Sequence, residues 1–306
     1  MPYKIDAVFV LYRPNVDVFV KSLKSIRNQV ETIYVIDNST DFDFGTALMA
    51  EILESGNVKF LRLGKNSGIA AAQNIGIQMA IDNQADLTLL SDQDTLYPHD
   101  YVEKMLANYC SIKNGATIAA IGPDFVEEHR GGESEGFFVM NGISSIKQEA
   151  KYELLDVQQI IASGMIVNNK ALMVVGMMDE RLFIDWVDFE WCWRARSMGY
   201  RIIGCGNVVI HHTLGDAVVS IFGRNFSLHS PERNYYIIRN GISIALKKKY
   251  LSARTRFGIF LKSIRYMIAF ILIGGNHFKN MAYCSRGFFH GITGQLGPLK
   301  NEDKWH

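Results

Sequence analysis

Between Gly241 and Lys300 the chain has no Asp and no Glu, while six Lys and four Arg fall in the same stretch. With the last six residues included, residues 241–306 carry +9 and residues 1–240 carry −8, an asymmetry hidden by the net charge of +1. Such a division speaks to partners rather than to fold: the acidic part suits metal and general-base chemistry, the basic part an anionic surface. Paired cysteines are also lacking. The four present, Cys110, Cys192, Cys205 and Cys284, show no CxxC spacing, which argues against a zinc site or a disulfide framework and for a reducing compartment. Met1 to Asp6 offers no basic segment leading into a long apolar stretch, so no signal peptide is expected and the cytoplasm is the default location. Nor is there a run long enough to cross a bilayer. Crossing takes about 20 apolar residues, and the uncharged run Tyr266–Gly275 reaches half that, with Lys262 and Arg265 just ahead of it.

What is present is ample for folding. The 306 residues are 48% hydrophobic and 21% charged, enough to bury the core of one large domain or of a domain with an appendage, and without the bias of a disordered chain. Ala7–Leu11, Ile33–Ile36, Val58–Leu63 and Leu87–Leu90 read as short β-branched or apolar strands. Between them Val16–Gln29 and the Ala-rich Gly68–Ile81 read as helices. Alternation of this kind implies βαβ units and a mostly parallel central sheet flanked by helices, an α/β fold. Ligands in such sheets bind beyond the carboxyl ends of the strands, which singles out Asp37, Asn66 and Asp92 to Asp94. Further on, Gly131–Lys147 suggests hairpins or a mobile loop, Gln158–Val167 a strand, Asp188–Met198 a helix, and Arg201–Ile210 a strand delivering His211 and His212. Beyond residue 231 the chain is helical, basic and aromatic. It fits interfacial helices on anionic lipid, or helices packed on the rest of the protein with solvated basic turns.

Ser91-Asp92-Gln93-Asp94 closes the fourth strand. Two carboxylates at i and i+2 beside an apolar strand are costly without a counter-charge, and Mg2+ or Mn2+ binds through one or two such groups plus substrate phosphates. A metal there would offset the charge of a departing nucleoside diphosphate. The tetrapeptide also fits a solvated turn or a helix cap, so its weight comes from its neighbours. Strand two ends in Val35-Ile36-Asp37-Asn38-Ser39, an acidic residue at a cleft edge suited to a base or ribose. Strand three leads into Gly64-Lys65-Asn66-Ser67-Gly68, where a helix start offers backbone donors beside a nucleotide; an ordinary helix cap accounts for the same residues. In Phe183-Ile184-Asp185-Trp186-Val187-Asp188-Phe189-Glu190-Trp191 three carboxylates stand among large aromatics. Asp188 at a helix start suits a general base, while Glu190 and Arg194, four apart, suit a structural pair. Trp186, Trp191 and Trp193 are candidates for stacking on a sugar, with at least one of them in the core.

The succession V-I-D-N-S, N-S-G-I-A-A-A-Q-N-x-G, D-Q-D and F-I-D-x-V-D-x-E-W-x-x-R resembles the large inverting family-two glycosyltransferases. Within them it is most similar to the bacterial dTDP-L-rhamnosyltransferases of O-antigen, polysaccharide and rhamnolipid assembly. The resemblance spans roughly residues 5–245. It implies a GT-A fold, with a catalytic domain over residues 1–230 and a C-terminal helical appendage over residues 231–306. The nucleotide half of that domain would occupy about residues 1–95 and the acceptor half about 96–230. Carried over residue by residue, Asp37 contacts the donor base, and Asn66 and Gly68 line the nucleotide pocket. Asp94 is the main ligand of Mg2+ or Mn2+ with Asp92 beside it, and His211 or His212 approaches metal or diphosphate. Asp188 takes the acceptor proton. Arg233 and Arg239, in R-N-Y-Y-I-I-R-N with Tyr236 and Asn240, lie on the donor side. Where many members have Glu-Asp, this chain has Val187-Asp188, which leaves Asp185 as a competitor for the base.

The expected reaction is metal-assisted direct displacement, moving L-rhamnose from dTDP-L-rhamnose to a hydroxyl of a lipid-linked or polysaccharide acceptor. The expected location is the inner face of the cell membrane, held peripherally through the C-terminal helices, which also suit a homo-oligomer. No nucleic-acid partner is expected. Another NDP-hexose donor, such as a UDP-sugar, is the nearest alternative. A nucleotidyltransferase would want a Gly-rich loop after strand one, where Tyr12-Arg13-Pro14-Asn15 stands. A non-catalytic sugar- or nucleotide-binding module would leave the carboxylates dispensable.

Overall fold

The structure is a computed structural model and describes residues 3–45, 50, 52, 54–112, 117–127, 136–141, 144–148, 153–212, 218–221, 224–227, 229–273 and 276–300. Tertiary contacts gather the chain into two units, Met1–Met178 with Trp191–Leu214, and Asp179–Glu190 with Gly215–His306.

The first unit opens with β1 (Ile5–Leu11), α1 (Val16–Ile26), β2 (Thr32–Asp37), β3 (Val58–Arg62), α2 (Ile69–Asp82) and β4 (Leu87–Ser91). It continues through β5 (Thr95–Leu96), α3 (Tyr101–Ser111), β6 (Ile118–Glu127), the hairpin β7 (Phe137–Asn141) and β8 (Ser144–Gln148), and β9 (Leu154–Asp156). After β10 (Ile166–Asn168) and α4 (Asn169–Val175), α5 (Val187–Ser197) begins in the second unit and ends in the first, which closes with β11 (Arg201–His212). Nine strands form one sheet in the order β3-β2-β1-β4-β10-β6-β11-β5, with β9 on β11. β3, β2, β1 and β4 are parallel neighbours, β6 and β11 are parallel to each other, and β10 lies antiparallel between β4 and β6.

Every residue of β1, β2 and β4 is buried, the pattern of strands covered on both faces. β3 at the edge carries Lys59 and Arg62, charges that discourage pairing with another chain. Phe9, Phe19, Leu23, Ile33, Leu89 and Tyr101 belong to the main core. α2 lies close over β1: a Cβ at Gly76 would stand 2.3 Å from Val8 Cγ1, so only glycine lets helix and strand meet there. The strands expected from the apolar runs therefore form, with ends within two residues of the sequence boundaries. One expectation needs correction. Gln158–Val167 is not a continuous strand, because a turn at Ser163 and Gly164 (φ +79°) interrupts it and only Ile166–Asn168 joins the sheet. Of its earlier apolar residues, Ile160 is buried without ladder pairing, and Ile161 and Ala162 are partly exposed. The hairpin expected in Gly131–Lys147 forms from residue 137 onward; residues 131–135 lie outside those described.

The second unit contains a 3-10 turn at Glu180–Leu182, the hairpin β12 (Val218–Ile221) and β13 (Arg224–Ser227), and the helices α6 (Pro231–Lys247), α7 (Ala253–Ile273) and α8 (His277–Thr293). α6 starts at Ser230, whose hydroxyl accepts from Arg233 N, and has Pro231 in its first turn. It is buried without a break from Asn234 to Ala245, packed by both α7 and α8. Among the described residues no helix is long and apolar enough to cross a membrane.

Asp179 fastens this unit at one end. Its carboxylate takes 2.8 Å contacts from Lys248 Nζ, Arg181 Nε and Arg181 Nη2. Burial opposes its ionisation, but these hydrogen bonds and charges outweigh burial and hold its pKa well below the ordinary carboxylate value. A carboxyl more acidic when folded adds stability above its unfolded pKa of about 4, and that stability is lost as acid titrates the folded group. Asp179→Asn is therefore expected to cost about 2 kcal/mol at pH 7. In urea titrations the gap between mutant and wild type should narrow as pH falls below about 4; a gap independent of pH would sever the effect from the charge.

Candidate active site

Three strand ends meet in the first unit. β1, β2 and β4 run parallel, with Leu11 opposite Asp37 and Phe9 opposite Ser91, so the segments leaving them emerge on one side. Asp37 is 1% exposed, yet it borders a cleft of about 370 Å³ lined also by Ser39, Asp41, Phe42, Asp43, Arg62 and Gly64. Its carboxylate accepts from Ser39 N at 2.9 Å and from Arg62 Nε at 3.0 Å. The Arg62 guanidinium carbon also lies 5.2 Å from the centre of the Phe44 ring. Three carboxylates against one guanidinium suit a ligand rich in N–H and O–H donors, such as a nucleobase edge or ribose, better than a phosphate.

Asn38 and Asn66 form the adjoining corner. Asn38 Nδ2 donates to Asn66 Oδ1 at 3.0 Å, Ser67 N to Asn38 Oδ1 at 2.7 Å, and Gly68 N to Asn66 Oδ1 at 3.0 Å. Gly68 precedes α2 with φ +86°, a left-handed conformation open to glycine at little cost. The structure thus brings Asp37, Asn66 and Gly68 together.

Asp92 and Asp94 stand partly exposed on the turn between β4 and β5. Tyr12 N donates to Gln93 Oε1 at 2.9 Å, and the next residue, Arg13, donates its N–H to Ser39 Oγ at 2.8 Å. The loop after β1 therefore ties the Asp92-Gln93-Asp94 turn to the Asp37 cleft, at the place where the sheet rule locates a ligand. Beneath the turn, Tyr97 donates to Ser91 Oγ at 2.6 Å; burial chiefly, with the charges of Asp92 and Asp94 adding, pushes its hydroxyl pKa up. β11 pairs with β5, so that His211 faces Leu96 and His212 faces Thr95 in register, two and one residues beyond Asp94 along β5. The side chains of His211 and His212 lie outside those described. Among the described residues no group of three or more His, Cys, Asp or Glu forms a metal cage. Two partly exposed carboxylates do fit Mg2+ or Mn2+, which keep several waters and take substrate phosphates as ligands.

The second unit holds the other acidic segment. Phe183, Asp185 and Trp186 adopt φ of +69°, +61° and +67°, three non-glycine residues in the left-handed region within four positions. Asn240 Nδ2 holds this turn by donating to the carbonyls of Leu182, Ile184 and Asp185 at 2.9, 2.8 and 3.1 Å. Arg239, fully buried, donates to the carbonyls of Leu182, Arg181 and Gly297 and to Asn240 Oδ1, with its guanidinium carbon 4.8 Å from the Tyr236 ring centre. Burial draws its pKa below the ordinary value. The expectation that Arg239 faces the donor is thereby corrected: its side chain braces the turn from within. Arg233 Nη2 donates to Asp185 Oδ1 at 3.1 Å and the arginine side chain remains 40% exposed. Asp188, half-buried in the first turn of α5, accepts from Phe189 N at 2.8 Å. Glu190 is fully buried and receives Lys248 Nζ at 2.8 Å and the Tyr250 hydroxyl at 2.6 Å. The indole N–H groups of Trp186 and Trp191 donate to the carbonyls of Ile237 and Gly176, and Trp193 is buried, so all three tryptophans serve the core rather than a sugar platform.

The glycosyl transferase family 2 profile matches residues 10–174, the segment that carries Asp37, Asn66, Gly68, Asp92 and Asp94. The chain belongs to this family. It is also 33% identical over 260 residues to the dTDP-rhamnosyl transferase RfbF of Shigella flexneri, covering 82% of each protein. Among solved structures it is similar to TarS of S. aureus, with a TM-score of 0.58, 14% identity, and 94% of this chain and 81% of that chain covered. It is likewise similar to GalNAc-T7 with UDP, GalNAc and Mn2+, with a TM-score of 0.57 and 15% identity, covering 87% of this chain and 57% of that one. The fold of this family 2 glycosyltransferase is GT-A.

Several residues of the site have parts that the sequence does not reveal, even where they stand within its motifs. Tyr12, Arg13, Ser39 and Gln93 act through backbone or short polar contacts between segments far apart in the chain. Arg62 is an ordinary edge-strand arginine until β2 and β3 pair, which places Asp37 opposite it. Asn240 had a signal, its place in R-N-Y-Y-I-I-R-N, but not one that revealed it as a brace.

Proposed function

We propose that this glycosyltransferase moves L-rhamnose from dTDP-L-rhamnose to a hydroxyl of a lipid-linked or polysaccharide acceptor, with inversion at the anomeric carbon. The reaction reading is carried by the Asp92-Gln93-Asp94 turn tied through Tyr12 and Arg13 to the Asp37 cleft. The likeness to RfbF supports the donor. In this reading Asp37 receives the N–H edge of the base, and Asn66 and Gly68 border the nucleotide. Asp94 and Asp92, with His211 or His212, would hold Mg2+ or Mn2+, which when bound would supply positive charge against the diphosphate. Arg233 has a partly exposed guanidinium suited to a donor's diphosphate. Asp188 takes the proton of the acceptor hydroxyl as its oxygen bonds to the anomeric carbon, while the bond from that carbon to the diphosphate oxygen breaks and dTDP leaves. Asp185, which pairs with Arg233, is the competing candidate for the base. The enzyme works at the inner face of the membrane.

Thermal shifts with dTDP, UDP and GDP in the presence of Mn2+ test the donor assignment. A ligand that binds only the folded state adds about 2.7 kcal/mol at a hundred times its Kd. The shift is expected to be largest for dTDP, smaller for UDP and least for GDP. Equal shifts would remove the pyrimidine assignment of Asp37, and a UDP preference matched by turnover of a UDP-sugar would replace rhamnose as the donor sugar.

A further inference from the structure

We infer that α7 and α8 dock the enzyme on an anionic bilayer through two apolar stripes left uncovered by the second unit's own core. On α7 the large exposed apolar residues are Phe257, Leu261, Ile268 and Leu272. Their spacing of four, seven and four residues places them on one helix face, with exposed Arg265 in the same line. The opposite face supplies the packing, with Ile259, Ser263 and Phe270 buried. α8 repeats the arrangement. Phe278, Met281, Phe289 and Ile292 are exposed at spacings of three, eight and three, while Asn280, Tyr283, Cys284, Gly287 and Gly291 are buried on the other side. Phe278 is 82% and Leu272 69% exposed, an unusual cost for a surface meant to face water.

Charge names the occupant. Residues 241–300 hold ten Lys and Arg and no carboxylate, so neither stripe has an acidic residue of its own helix beside it. A second copy docking the same face would bring like charges together, whereas anionic headgroups complement them, each cation near the surface adding attraction and each apolar side chain entering the acyl boundary. Among the described residues no helix is long and apolar enough to cross a bilayer, and α7 carries Arg254, Arg256, Lys262 and Arg265 within its 21 residues. The surface rests on the proposed function only for its biological sense, that it brings the enzyme to a lipid-linked acceptor.

The test is co-sedimentation of the full chain with vesicles of phosphatidylcholine alone or mixed with phosphatidylglycerol, at low and high salt. Binding to the mixed vesicles and little to the neutral ones is expected, weakened by salt. Leu272→Ser with Phe278→Ser should weaken it by at least about tenfold, and Arg265→Glu by about tenfold or less. Absent vesicle binding, or binding indifferent to both variants, would overturn the proposal. So would light scattering that finds an oligomer in the wild type and a monomer in Leu272→Ser/Phe278→Ser, because the stripes would then be a subunit interface. The dTDP thermal shift is read on the same samples. A retained shift without vesicle binding sinks the docking surface alone; vesicle binding without a shift sinks the donor reading alone.

Discussion

An Asp188→Asn enzyme is expected to bind its donor and to transfer almost nothing from it, with kcat lowered by about 10²–10⁴-fold. Asparagine keeps the shape of the side chain and the oxygen that accepts from Phe189 N, so the start of α5 should persist. What it lacks is a site for the proton. The acceptor oxygen must shed that proton as it bonds to carbon, and a positioned base contributes in the transition state rather than in donor binding. The dTDP thermal shift should therefore match that of the wild type while turnover collapses. Asp185→Asn separates the two candidates. Its carboxylate pairs with Arg233, and its backbone sits in a turn braced by Asn240, so a loss there should appear in donor affinity as well as in kcat. Should Asp188→Asn turn over like the wild type while Asp185→Asn loses kcat alone, the base would be Asp185.

The parts of this enzyme that were legible in its sequence are those where chemistry repeats along the chain. β1, β2 and β4 are apolar from end to end because both faces of the sheet are covered, and such runs announce themselves. Once the alternation of strands and helices is seen, the sheet rule locates Asp37 and Asp92 to Asp94 without knowledge of any ligand. Elsewhere the deciding forces act between segments far apart. Nothing in Tyr12-Arg13 announces that one residue will bond Gln93 and the next Ser39. The segment 158–167 is apolar enough for a strand, but Gly164 in a left-handed conformation turns it away from the ladder. Left-handed Phe183, Asp185 and Trp186 are less legible still, because bulky aromatics such as Phe183 and Trp186 rarely adopt that conformation. They are held there by Asn240, more than fifty residues later, and beside it Arg239 braces the preceding carbonyls of Arg181 and Leu182. A motif reading takes Arg239 for a cation that meets a phosphate; only burial reveals that this cation faces inward.

Asp94→Asn is expected to have the second large effect, a fall in transfer of about 10²–10³-fold, comparable to loss of one strong electrostatic contact to the leaving group. Unlike Asp188→Asn it should also weaken the donor. Asp92 and Asp94 are two partly exposed carboxylates on a single turn, and the turn is fixed to the Asp37 cleft through Gln93, Tyr12 and Arg13. Replacing one carboxylate by an amide removes a negative charge and a strong oxygen ligand and leaves the Tyr12–Gln93 contact in place. Hard divalent cations depend on such charge for affinity. The decisive measurement is the dTDP thermal shift in Mn2+ against chelator. In the wild type the shift should shrink when the metal is removed; in Asp94→Asn it should be small in either condition, and Asp92→Asn should fall between. A nucleotide shift equally large with and without metal in the wild type would deny this turn its assigned cation, and Asp94 would then have to act on the donor by accepting from sugar hydroxyls, because the diphosphate offers no donor.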